Sequence, residues 1–294
     1  MKSYTKIIII LLCGAVALIH GKYAYAQESD VARLIQEAQK SGIEQNTLSE
    51  LQNRAQERGI SDSQLETILK TAISMSEENL PADVVVQKSL EGLSKGIQPF
   101  RIVTVVGQLK QSMGQAAEVI DPWMKEPRVK EMLNRSEQMM QTKEFRIELV
   151  KAASKSIMQH ITSETIKKVL SQIGTESVLS NTNPTDIVAA MGILPDLSAS
   201  SNAENAGSFV VRALKGGFKA EALQKLPSAI RMAKQRSELP AASILERVSN
   251  QMREGVPARQ IVQNLFEGKI GGGPPGNKPN GLNKKPNNGH SQGS

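Results

Sequence analysis

The sequence predicts an all-α fold of stacked short αα-hairpins, α-solenoid-like and arranged in two related arms, with a disordered C-terminal tail. Three observations predict it: a recurring helix-boundary signature, a spacing between signatures that suits short helices, and an abrupt change of composition after Gly268.

The signature is an apolar residue, usually preceded by Gly, with another apolar residue five positions later. Gly42-Ile43 with Leu48, Gly59-Ile60 with Leu65 and Gly96-Ile97 with Ile102 are the early examples. Gly217-Phe218 with Leu223 and Gly255-Val256 with Ile261 are the late ones, and two Leu-Pro-Ala variants, Leu80 with Val85 and Leu239 with Ile244, fit without the Gly. The physical reading is a helix that ends on a left-handed Gly, after which the next apolar residue folds back onto it. That residue also precedes the N-cap of the following helix, and an apolar pair at N′ and N4 is the hydrophobic staple, which has this spacing. Ser61 to Gln64 reads as a capping box, and Pro81, Pro99, Pro240 and Pro257 fall in first turns, where a missing N–H costs little.

The steps between boundaries are 17 (Ile43 to Ile60), 20 (Ile60 to Leu80), 17 (Leu80 to Ile97), 21 (Phe218 to Leu239) and 17 (Leu239 to Val256). They leave room for helices of roughly 12 to 15 residues, too short to be stable alone in water, so each needs an apolar face against its neighbours. Residues 27–113 and 203–268 therefore read as two helical-hairpin arms. Leu80-Pro81-Ala82 through Gly96-Ile97 to Ile102-Val103 matches Leu239-Pro240-Ala241 through Gly255-Val256 to Ile261-Val262, which reads as a duplicated hairpin. Tetratricopeptide, ankyrin and leucine-rich patterns are absent.

Residues 114–202 read as a helical connector. Pro127 to Met140 and Lys143 to Gln172 have helical periodicity, with Leu149, Ala153 and Ile157 on one face. Asn181 to Pro184 and Ser198 to Gly207 are rich in turn formers and mark loops or a hinge. Ile102 to Val106 is β-branched, but its place after a staple favours a buried helix.

The two ends differ from this body. Residues 1–26 read as a cleaved signal peptide: Lys2 and Lys6, an apolar run from Ile7 to Ile19, then Ala24-Tyr25-Ala26. The expected location is outside the cytoplasm, periplasmic or secreted, with no membrane span after cleavage. Leu12 before Cys13 does not suit lipoprotein processing. The signal also takes with it the single Cys and all three Tyr, so the mature chain is expected to be held by packing alone. Residues 269–294 are Gly, Pro, Asn and Lys with almost nothing apolar, and are expected to be disordered. Lys2, Lys6 and Lys22 at one end and Lys269, Lys278, Lys284 and Lys285 at the other leave 29 bases against 29 acids in residues 27–268. The formal charge of +7 thus belongs to the ends, which argues against specific nucleic-acid binding by the body.

Reactive groups are few. The expected mature chain has only His160 and His290 and no thiol, so no metal site or cofactor is expected. His160, read as sharing a helix face with Leu149 and Glu164, is expected to be packed or surface-paired, since no nucleophile elbow accompanies it. The Phe residues are expected in the core, and the ten Met after Met1 fill the core or line an adaptable groove. One constellation remains: Glu118, Asp121 and Glu126 around Trp123, where Asp121-Pro122 also reads as a helix start. Paired carboxylates beside an aromatic are the equipment of glycoside cleavage, so Asp121 and Glu126 are the candidate acid and base of a cell-wall hydrolase. Trp123 is a candidate partner contact, as are Lys278, Lys284 and Lys285, which would touch anionic envelope components. The poverty of reactive groups favours a non-enzymatic scaffold that binds a protein or peptide; the alternatives are that hydrolase or a tether acting through the tail.

Overall fold

The computed structural model describes residues 30–136 and 138–269, which form fourteen helices and no strand. In chain order these are α1 (30–40), α2 (Gln45–Glu57), α3 (Asp62–Glu77), α4 (Asp83–Ser94), α5 (Pro99–Met124), α6 (Pro127–Arg135) and α7 (Thr142–Met158). They continue with α8 (Ser163–Ile173), α9 (Glu176–Leu179), α10 (Pro184–Ser198), α11 (Ala203–Lys215), α12 (Ala220–Ser237), α13 (Ala241–Arg253) and α14 (Ala258–Phe266). The signal-peptide and tail readings fall outside the described residues, apart from Lys269.

The boundary signature has the backbone it needs. All seven signature residues follow a residue with positive φ: Gly42, Gly59, Gly96, Gly217 and Gly255, and in the two Leu-Pro-Ala variants Asn79 and Glu238. Nine such positions occur among the described residues, and at eight the next residue donates its N–H to the carbonyl five residues back, as Ile43 does to Ala38 and Phe218 to Ala213. That is the long hydrogen bond of the Schellman motif, which satisfies a carbonyl the helix end would otherwise orphan. Leu239 departs from the rule; its N–H meets the Ser237 hydroxyl. The Ser61 capping box forms as expected.

Other expectations need correction. The stretch from Lys143 to Gln172 is not continuous: α7 ends at Met158, His160 takes φ +64°, and Ile161 donates back to Ser156. With Ile166 five residues on, this is the same boundary with His in place of Gly, so His160 is an exposed cap and shares no helix face with Leu149. Asp121-Pro122 does not start a helix; Pro122 sits in the last turn of α5, a 26-residue helix that runs unbroken through the boundary expected after residue 113. Phe145, Phe209 and Phe218 are buried and Phe266 is half-buried against the core, but Phe100 is 57% exposed beside the exposed Ile97. There the Arg101 guanidinium lies over the Phe100 ring.

The left-handed caps yield a paired prediction. A side chain in that region costs about 1–2 kcal/mol. Gly96→Ala is therefore expected to destabilise the protein by about 1–2 kcal/mol, whereas His160→Gly should stabilise it by about 0.5 kcal/mol after the added unfolded-state entropy. Urea unfolding followed by circular dichroism reads both, and equal effects at the two sites would contradict the assignment of His160 as a cap.

Buried apolar side chains form one continuous cluster from Val31 to Leu265. Neighbouring helices follow a repeated pattern: α2 packs on α4, α3 on α4 and α5, and α4 on α5. Late in the chain α11 packs on α13, α12 on α13 and α14, and α13 on α14. The two hairpins that match in sequence also agree in burial, Val85 with Ile244, Val86 with Leu245, Ser89 with Val248, Ile102 with Ile261 and Val106 with Leu265. In the middle, α7 packs on both α5 and α10, and α10 packs on α12, so helices α3, α5, α7, α10, α12 and α14 each touch the next. On the other side α5, α8, α11 and α13 do the same.

Polar contacts tie these rows together. Lys110 on α5 reaches Ser74 on α3 and Glu78 at its C-cap at 2.6 and 2.8 Å, and its hydrogen bond is the main reason the Glu78 carboxyl lies below its ordinary range. The buried hydroxyls of Ser112 and Ser154 join α5 to α7 at 2.7 Å. Asp186 is 2% exposed and joins two helix starts: it accepts from Asn183 N–H at the start of α10 (3.1 Å) and from Ala220 N–H at the start of α12 (2.8 Å). Lys219 Nζ stands 3.3 Å from the same carboxylate.

Gly207, in the stretch expected to be a loop or hinge, lies instead inside α11, where a Cβ would come 2.5 Å from Val169 Cγ2 on α8. Valine is stiff at χ1 and cannot swing away. Gly207→Ala is expected to cost about 1–2 kcal/mol despite its better helix propensity. Gly107→Ala, exposed on α5 with nothing within 4 Å, should gain about 0.5–1 kcal/mol. Thermal melts of the two variants shifting in the same direction would count against close α8–α11 packing.

Candidate functional site

The last turns of α5 and the first turns of α7 build the most elaborate polar site. Arg146 follows the buried Phe145, whose ring tilts against Trp123 with centroids 6.3 Å apart, so the packing of α7 on α5 aims the guanidinium at the end of α5. It grips Asp121 with two bonds, Nε to Oδ1 at 2.6 Å and Nη2 to Oδ2 at 2.9 Å. Nη1 donates to the Asn79 carbonyl at 2.6 Å, joining the α3–α4 turn to the pair. The bond to Asp121 holds the Arg146 pKa above its ordinary value, against the opposing effect of burial. A bidentate pair of this kind fixes orientation as well as charge.

This pair lies in a groove. On one side of it is a depression of about 910 Å³ with Ile43, Leu80, Met124 and Ile147 among its apolar residues. A second, of about 370 Å³, continues past Leu133 and shares Asp121, Met124, Thr142 and Arg146 with the first. Lys125, Lys130 and Lys143 rim the two, all exposed. A third depression, about 860 Å³, lies where α7, α10 and α12 meet and includes Met140, Val188, Ile193 and Pro227. Lys151 from its wall pairs with Asp83 from the first at 3.8 Å, so α7 carries the surface from one to the next.

The other flank of α5 is different. At 100° per residue the face of Val119, Pro122 and Trp123 is centred opposite that of Asp121 and Met124, with Glu118 at its edge. With Glu126, Ser163, Glu164 and Lys167, the former face and Glu118 line a separate depression of about 530 Å³ between α5 and α8. Trp123 is 4% exposed, and its buried indole N–H meets no acceptor. Gly174 leaves the space beside it: a Cβ there would stand 3.1 Å from Trp123 Nε1 and 3.1 Å from Glu126 Oε2.

The residues singled out in the sequence are thus not gathered into one site. Asp121 and Glu126 line different depressions, and Asp121 is engaged by Arg146, whereas a glycosidase acid and base must face one bond from two sides. Glu118, Trp123 and Glu126 do share a depression. Lys278, Lys284 and Lys285 lie outside the described residues. Among the described residues no three His, Cys, Asp or Glu converge as a metal site would require, and no helix is long and apolar enough to cross a membrane. The sequence reading missed Arg146 altogether; nothing local distinguishes it from other helix-surface arginines, because its partners are 25 and 67 residues away.

Compared with protein-family models, with curated proteins and with solved structures, the chain matches none.

Proposed function

We propose that this chain is an exported, non-enzymatic helical-repeat protein that holds an extended protein or peptide partner in the groove along α5, α7, α10 and α12. The observation that carries the reading is the groove itself. Three depressions on one surface offer apolar patches interrupted by charged side chains, the surface an extended chain with alternating apolar and polar residues would need. Met124 and Met140 line it and Met139, 64% exposed, stands next to Met140; such flexible side chains adapt to varied apolar partners. The neighbour pattern of α2 to α5, repeated in α11 to α14, supports reading the fold as two related α-solenoid-like arms joined through α6 to α10, since stacked hairpins generate extended grooves. Export rests on the leader in residues 1–26, and fractionation of tagged chains with and without those residues tests it.

The binding reading is tested by selecting ligands from a random peptide library and measuring them on two variants. Thr142→Trp fills the stretch shared by two depressions, and Lys151→Glu reverses charge at the bridge to the third. Selected peptides are expected to lose roughly tenfold in affinity or more, about 1.4 kcal/mol, on either variant. Failure to enrich any peptide, or peptides indifferent to both substitutions, would overturn the reading.

A further inference from the structure

We infer that the acidic depression between α5 and α8 is the docking site of the chain's own C-terminal segment, residues 278–286. This does not rest on the groove reading, since it concerns the other flank of α5. Among the described residues, the side chains of Glu118, Glu126 and Glu164 take part in no hydrogen bond or ion pair, yet all three line one depression, with Lys167 the one cation of its wall. Its apolar surface comes from Val119, Pro122, Trp123 and Leu170.

Unpaired acids alone mark only a solvated surface. The buried indole N–H of Trp123 adds a second requirement, because a buried donor without an acceptor costs about 1–3 kcal/mol, which an incoming carbonyl would recover. Gly174 keeps the space beside that N–H free of a side chain. A fitting ligand therefore carries positive charge, offers a carbonyl and lays a compact apolar group against Val119 and Pro122.

The tail has this chemistry. Lys278-Pro279 and Lys285-Pro286 each set a cation beside a proline ring, and no acid occurs after Glu267. Proline-rich segments suit such a surface because they lose little conformational freedom on docking. Reach is sufficient. From α14 the route to α8 crosses α13 and α11, each packed on the next, so three interaxial steps cover about 24–30 Å. The nine residues from Lys269 to Lys278 span up to about 30 Å, and the sixteen to Lys285 up to about 53 Å.

The test treats the intact chain with a zero-length carbodiimide crosslinker and maps the products by mass spectrometry. Crosslinks from Lys278, Lys284 or Lys285 to Glu118, Glu126 or Glu164 are expected within single copies. They should disappear at 1 M salt, where the screening length falls to about 3 Å. Trp123 is the single Trp of the sequence, so no other indole contributes to the emission. Emission is expected to shift when the three lysines are changed to Gln, and to shift likewise in Glu118→Gln/Glu164→Gln. Tail lysines that crosslink elsewhere but not to these acids, or an emission spectrum indifferent to both sets of substitutions, would overturn the proposal. Crosslinks confined to paired copies would also overturn docking within one chain.

Discussion

Asp186→Ala is expected to destabilise the protein by about 3 kcal/mol, among the largest effects of any single polar substitution here. The buried carboxylate accepts one backbone N–H at the start of α10 and another at the start of α12, and charge-assisted bonds of this type contribute about 1.5–3 kcal/mol each. Both helix starts also present the positive end of a dipole to it. The Lys219 pair adds little, because that side chain is 55% exposed and its charge can return to water. For a chain of this size the loss corresponds to a melting temperature lower by roughly 6–12 °C. Asp186→Asn, which keeps the size but loses the charge and turns an NH₂ toward one N–H, should lose about half as much. A melt of the Ala variant within 2–4 °C of the parent, the shift expected for about 1 kcal/mol, would falsify the view that one carboxylate joins the two helices.

Asp186 also shows where the sequence was legible and where it was not. Asn183-Pro184-Thr185-Asp186 carries the spacing of a capping box, so its local half could have been read, although only the turn was recognised. Its second partner lies 34 residues away, and no periodicity announces it. Local physics explains the successes equally well. A left-handed cap followed by a staple residue is a contract between neighbours in sequence, so Gly42-Ile43 or Gly255-Val256 betrays a helix end without any tertiary knowledge. The same boundary is hidden at His160-Ile161, because His takes the left-handed region less readily than Gly and so does not announce a helix end. The same logic fails in α5, where Gly107 and Gly114 end nothing and Pro122, entering the final turn, sacrifices only one bond.

The candidate sites were less legible than the helices. Carboxylates around Trp123 drew notice as a run in sequence, but residues three apart on a helix can face different cavities when two neighbours pack on either side. Asp121 looks across to α7 and Glu118 across to α8, and only the placement of those two helices assigns one to the groove and the other to the acidic depression. The divide therefore depends on how α7 seats against α5.

That seat is tested by Phe145→Ala, expected to cost about 3–5 kcal/mol. Phe145 is fully buried in the first turns of α7 and contacts the Trp123 ring, so truncation removes an aromatic pair as well as leaving a cavity. Water entering beside Trp123 should move its emission to longer wavelength, while Phe145→Leu, which retains most of the volume, should lose no more than about 1.5 kcal/mol and keep the emission nearly unchanged. The adjacent Arg146 couples the same substitution to the groove: if α7 shifts, the two bonds to Asp121 loosen, and peptide binding in the groove should weaken in Phe145→Ala but not in Phe145→Leu. A Phe145→Ala protein with parental emission and a loss below about 1.5 kcal/mol would mean that α7 is not anchored there. In that case the groove and the acidic depression would not be separate sites divided by α5.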